Sequence, residues 1–129
     1  MNVAVPDMNL LAFDTSTDVM SVAVSRTRSG SVQVWQHTAP GGALTSAALI
    51  PAILALMHDA GLTLADLHAI CFGSGPGSFT GLRTACSVAQ GLALGANVPV
   101  LAVDSLLAVA EEARHTSLAN PPRGVVTAL

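Results

Sequence analysis

Gly73-Ser74-Gly75-Pro76-Gly77-Ser78-Phe79-Thr80-Gly81-Leu82-Arg83 decides how this chain folds. It follows a short apolar run, Ala69-Ile70-Cys71-Phe72, and precedes a long stretch of small residues. The run reads as a buried strand, since it is apolar, short and closed by glycine. Gly73, Gly75, Pro76 and Gly77 crowd into five positions and fix an unusual backbone path. The stretch therefore predicts a strand, a tight corner and a helix starting at Phe79 or Thr80. Ser78 stands where a cap is needed. Arg83, one turn in, can clamp a carboxylate or phosphate or bind a local carbonyl. Such a corner binds an anion or shapes a protein contact, and the local sequence leaves both open.

Working outward, Leu10 to Phe13 reads as a buried strand ending in Asp14-Thr15-Ser16-Thr17-Asp18. Met20 to Ser25 and Ser31 to Gln36 supply two more strands, joined by a turn at Arg26-Thr27-Arg28-Ser29-Gly30. Three strands with short connections predict an antiparallel meander, unlike a dinucleotide-binding unit, where a helix follows the first strand. Pro40-Gly41-Gly42 then breaks the chain before a helix from about Leu44 to Ala60. Its Leu49, Ile53, Leu56 and Met57 recur at helical spacing, and Gly61 stops it.

On the other side, the small-residue helix reaches about Gly95, Val98 to Val103 forms a fifth strand, and Asp104 or Ser105 caps a third helix to about Arg114. The order βββαβαβα predicts an α/β domain with a mixed five-stranded sheet and helices packed on it. We expect residues 1–115 to form this domain and 116–124 a linker. Residues 125–129, Val125-Val126-Thr127-Ala128-Leu129, read as the opening strand of a second domain, so a longer parent protein is expected.

Composition narrows the function. Of 129 residues 51% are hydrophobic and 10% charged, with mean hydropathy +0.60. No continuously apolar stretch of about twenty residues occurs, which argues against a membrane-spanning helix. The excess apolar surface is expected to meet a partner or another part of the parent protein, unless alanine enrichment alone accounts for it. The five basic residues are all arginine and the net charge is −3. No basic stripe of a stand-alone nucleic-acid binder is visible. Two cysteines and four scattered histidines give neither a disulfide framework nor a metal-ligand spacing. No secretory signal is recognisable, so the cytoplasm is expected.

Two loops can carry chemistry. Asp14-Thr15-Ser16-Thr17 at a strand end can hold hydrated magnesium and phosphate oxygens, but an Asx or Ser/Thr turn is the more economical local reading. The Gly73 to Arg83 loop matches neither the phosphate-loop lysine pattern, nor the dinucleotide fingerprint, nor the esterase elbow. In the helix that follows, Gly81, Ala85, Ala89 and Ala93 stand four apart on one face, and Ser87, Gly91 and Gly95 on another. Two small-residue stripes suit close packing against the sheet and against a second helix, within this chain or across a dimer.

Leu11-Ala12-Phe13-Asp14-Thr15-Ser16-Thr17, the Gly73, Gly75, Pro76, Gly77, Ser78, Phe79, Thr80, Gly81, Leu82, Arg83 pattern, and Ala89-Gln90-Gly91-Leu92-Ala93 together resemble the bacterial TsaB family, also called YeaZ. The resemblance covers nearly all of the chain from Leu10 onward, and the glycine loop is its specific part. It implies an actin/Hsp70-type ATPase fold, ribonuclease H-like in each of two related domains. It further implies a non-catalytic scaffold that binds and activates the TsaD transferase in threonylcarbamoyladenosine modification of tRNA, working with TsaE and TsaC.

Self-association as a homodimer is implied when the protein is alone, and tRNA association only through the complex. ATP or ADP with magnesium is implied, if anywhere, at a partner interface. The interface so implied takes in Leu49, Ile53, Ala85, Ser87, Ala89, Gln90, Gly91 and Gly95. The catalytic relative carries a His-x-x-x-His pair on the first helix. Here Thr45 and Ser46 are the nearest matches, which favours scaffold over transferase. An ATP-dependent kinase or transferase of the same fold, or a glycoprotease-like protein, are the alternatives.

Overall fold

A computed structural model describes residues 6–42, 45–105, 107 and 110–111. Strands β1 (Met8–Asp14), β2 (Val19–Arg28) and β3 (Ser31–Pro40) come first, then helix α1 (Thr45–Asp59) and a single 3-10 turn (Leu64–Asp66). Strand β4 (Ala69–Gly73), helix α2 (Phe79–Ala96) and strand β5 (Val100–Val103) follow. The sheet order is β3-β2-β1-β4-β5. The first three strands form the expected antiparallel meander, and β4 pairs parallel with both β1 and β5. Helical conformation resumes at Ser105. The rest of the expected third helix lies mostly outside the described residues, as do the linker at 116–124 and the strand at 125–129.

The strands β2 and β3 run on to Arg28 and Pro40, beyond their expected ends. The residues at their tips keep the antiparallel ladder going through Arg28↔Ser31 and Val19↔Pro40, a cross-strand constraint that local composition does not carry. Ser29 and Gly30 both take positive φ, at 52° and 78°, as a tight hairpin turn requires.

Alternation along each strand puts Leu11, Phe13, Met20, Val22, Val24 and Ile70 on one face, all buried. Leu49, Ile53, Leu56 and Met57 of α1 and Ala85, Ala89 and Ala93 of α2 close over them in one core. Burying each Leu, Ile, Val, Phe or Met contributes about 1.5–3 kcal/mol. The alanines contribute little area but let the α2 backbone lie close to β4. The opposite face, with Ala12, Ala23 and Cys71, lines a cavity of about 270 Å³. This topology brings the β1–β2 turn, the start of α1 and the start of α2 to one edge of the sheet.

Candidate functional site

The Asp14 turn and the glycine corner form one unit. Asp14 Oδ1 accepts from the Ser16 N–H at 2.7 Å and from the Ser16 hydroxyl, and its Oδ2 accepts from the Ser105 hydroxyl at 3.1 Å. The geometry is that of an Asx turn, the economical reading of the sequence. It also does more than close a hairpin. The buried Thr15 hydroxyl donates to the Gly81 carbonyl at 2.5 Å, and the Ser78 N–H donates to the Ser16 carbonyl at 2.7 Å. Thr17 is exposed and exchanges weak local bonds with Val19 at 3.2 and 3.4 Å.

Three of the glycines are there because the turn leaves no room for a side chain. A Cβ at Gly73 would stand 2.6 Å from Asp14 Cγ, one at Gly77 2.6 Å from the Ser16 carbonyl oxygen, and one at Gly81 2.9 Å from the Thr15 carbonyl carbon. Gly75 has φ +110°, and its peptide to Pro76 is cis. The corner is tied to the next strand as well, through the Ser74 hydroxyl to Val103 O at 3.1 Å and the Ser105 N–H to Gly75 O at 2.8 Å. Ser78 caps α2, accepting from the Gly81 N–H at 3.4 Å.

Arg83 stacks on the Phe79 ring, 4.2 Å from its centroid, a contact of about 0.5–1 kcal/mol where exposed. Beside it lies a cavity of about 280 Å³ whose lining includes the hydroxyl-bearing residues Thr15, Thr17, Thr45, Ser78, Thr80 and Thr84, with Asp18 at hand. Thr84 and Asp18 were not singled out by the sequence. Their spacing carries no motif, and only the packing of the two helix starts brings them to the turn. Ser105 read as a cap, and its bond to Asp14 spans 91 positions, invisible locally. Among the described residues no three His, Cys, Asp or Glu side chains gather as a metal site.

Of the expected interface, half is corrected. Leu49, Ile53, Ala85 and Ala89 are all 0% exposed, because the first stripe of α2 and the apolar face of α1 are what seals the core. They cannot touch a partner. Ser87, Gln90, Gly91 and Gly95 are exposed, and a Cβ at Gly91 or Gly95 would meet nothing within 4 Å. The helices also expose Ile50, Leu54, Phe79 (69%) and Leu94 (86%).

Comparison with solved structures agrees on the class. Thermus thermophilus RuvC in complex with a Holliday junction substrate superposes at a TM-score of 0.56, covering 92% of this chain and 82% of that one at 12% identity. At that identity the likeness shows the fold alone: a ribonuclease H-like, actin/Hsp70-type α/β domain. YeaZ from Pseudomonas aeruginosa matches far more specifically, at a TM-score of 0.71 and 39% identity, over 85% of this chain and 50% of that one.

The family model described as TsaD, tRNA N6-adenosine threonylcarbamoyltransferase, matches residues 35–129. The tRNA threonylcarbamoyladenosine biosynthesis protein TsaB of Haemophilus influenzae is 38% identical over 111 residues, 83% of this chain and 44% of the relative. That of Escherichia coli is 37% identical over 106 residues, 82% of this chain and 44% of the relative. The chain belongs to the TsaB (YeaZ) family. It spans somewhat under half the length of these curated relatives. Among the described residues no helix is long and apolar enough to cross a membrane.

Proposed function

We propose that this chain forms the N-terminal domain of a non-catalytic subunit in tRNA threonylcarbamoyladenosine biosynthesis, one that binds and activates the TsaD transferase. The observation that carries the reading, beside family membership, is the exposed face of α2. Leu94 stands in solvent, and next to it Gly91 and Gly95 leave the helix backbone bare, while Phe79 adds exposed apolar surface at the start of the helix. A bare backbone flanked by apolar side chains lets a second helix approach closely, and burial of the apolar groups drives the association. Arg83, held flat on Phe79, supplies orientation.

Within this reading residues 1–115 are the contact domain. TsaE joins through the complex, and nucleotide with magnesium, if used, sits at the partner interface beside the Asp14 turn. With net charge −3 and no lysine, the chain meets tRNA only through its partner. Without TsaD the same face pairs with a second copy. The test is co-purification of this chain with TsaD from the same cell, followed by size-exclusion chromatography. Native chain co-eluting and Gly91→Leu eluting alone supports the reading. Co-elution of both equally places the contact elsewhere. Calorimetry with Mg-ATP on the chain alone separates this from the kinase-like alternative, which requires binding at Asp14 to Thr17 without a partner.

A further inference from the structure

Strand β3 is one edge of the sheet, and its hairpin fixes which of its backbone groups face outward. Ser29-Gly30 is a two-residue loop, so its flanking pair Arg28↔Ser31 exchanges both backbone bonds, and so does every second pair beyond it. The N–H and C=O groups of Val32, Val34, Gln36 and Thr38 therefore point away from β2. None of these backbone groups has a partner among the described residues.

Edge strands are ordinarily protected against pairing by shortness, charge, proline or a bulge. The opposite edge, β5, has only four residues. β3 has ten, none of them Asp, Glu, Lys or Arg, and its proline is the last. Its register to β2 runs one to one from Val19↔Pro40 to Arg28↔Ser31, so no bulge turns the edge aside. Val32 and Val34, 58% and 51% exposed, leave the face away from the helices apolar and in solvent. Trp35, next along the strand, packs half-buried against the core on the helix side.

We propose that the β3 edge is a docking surface for the same edge of a second copy of this chain, paired antiparallel about a two-fold axis at Trp35. Outward groups at alternate residues are satisfied by an extended strand, and two features favour a second copy as its source. With no carboxylate, lysine or arginine on β3, self-pairing sets no such charges of like sign opposite each other. Centring the axis on Trp35 brings Val34 to Gln36 and Val32 to Thr38 of the second copy, so outward-facing groups meet outward-facing groups throughout. The same register sets Trp35 against Trp35 of the second copy, at a non-hydrogen-bonded position where side chains come closest. Two five-stranded sheets then become one. The exposed face of α2 takes no part, so this pairing stands or falls apart from the scaffold reading.

The test is sedimentation velocity of the 129-residue chain over a concentration series, in a Gly91→Leu background that removes pairing through α2. A monomer–dimer equilibrium is expected, with amide hydrogen exchange at Val32, Val34, Gln36 and Thr38 slowing as dimer accumulates. Trp35 is the single tryptophan, so its emission should move to shorter wavelength over the same concentrations. Val34→Lys, at an exposed side chain, should raise the dimer dissociation constant about tenfold or more, since it brings charge to the edge in both copies. Val34→Pro should act in the same direction, because the N–H it removes is not bonded to β2. Val34→Lys serves as the folded variant should the proline disturb the strand. A monomer at every concentration overturns the proposal. So does a dimer whose dissociation constant Val34→Lys leaves unchanged, or one in which those amides exchange as fast as in the monomer.

Discussion

The Thr15 hydroxyl and the Gly81 carbonyl meet at 2.5 Å across 66 positions of sequence, and a Cβ on Gly81 would fall against the Thr15 carbonyl in return. The β1 turn and the first turn of α2 are thus one joint with no spare volume. Everything at this edge of the sheet, including the exposed helix face and the hydroxyl cavity, inherits its position from that joint.

Gly81→Ala should therefore destabilise the chain although it places a better helix former in a helix. Propensity alone would give about 1 kcal/mol in favour of Ala, but the clash is with backbone and should cost about 1–3 kcal/mol or more. Gly91→Ala, where the new Cβ meets nothing within 4 Å, should show the propensity gain unopposed. Urea midpoints for the pair check this. A Gly81→Ala midpoint at or above native would mean the joint is looser than the geometry states.

Ala89→Leu and Gly91→Leu, two positions apart on α2, should part company. Ala89 is 0% exposed in the core, so three added heavy atoms overpack it at a cost of about 1–3 kcal/mol. Gly91 faces solvent, so its leucine leaves the fold intact and alters only what can dock there. Thermal midpoints together with partner binding read both effects. Equal loss of stability in the two variants would contradict the assignment of faces.

The architecture was legible because each strand and helix carries its own period. Leu49, Ile53, Leu56 and Met57 announced α1, and the apolar run at Ala69 announced β4. Two stripes on α2 were legible too, but not which one looked inward. Gly81, Ala85 and Ala89 differ from Ser87, Gly91 and Gly95 in size only slightly. Which stripe is buried depends on where the sheet lies, a fact that no helical period contains.

Asp66 gives an acid-side signature. Its carboxylate accepts from the Thr63 N–H at 2.8 Å and the Thr63 hydroxyl at 2.9 Å. The backbone bond first, then the side-chain bond, hold its pKa below the ordinary 3.8, with a smaller contribution from Arg28. A pKa lower in the folded than the unfolded state means that the unfolded chain takes the proton first as pH falls. The contribution is whole above about pH 4 and shrinks as pH drops through the folded value. Asp66→Asn should flatten that limb of a thermal-midpoint series and leave the neutral-pH shape alone. An unchanged acid limb would show the Thr63 bonds to be weak in solution.

Cys71 reports on the face of the sheet opposite the helices. It is half-buried beside Ala12 and Ala23 in the cavity there, and burial pushes its thiol above the ordinary 9.0. Less thiolate at a given pH means slower alkylation, since the thiolate is the nucleophile. With Cys86→Ser as background, iodoacetamide at mildly alkaline pH should modify Cys71 several-fold more slowly in the folded chain than in urea. The sign is opposite to that of Asp66: the unfolded chain loses the thiol proton first, so stability declines as pH rises past the ordinary thiol value. Equal rates in folded and unfolded chain would show that the thiol stands in water, and the cavity at Ala12 and Ala23 would then be open enough to hydrate it.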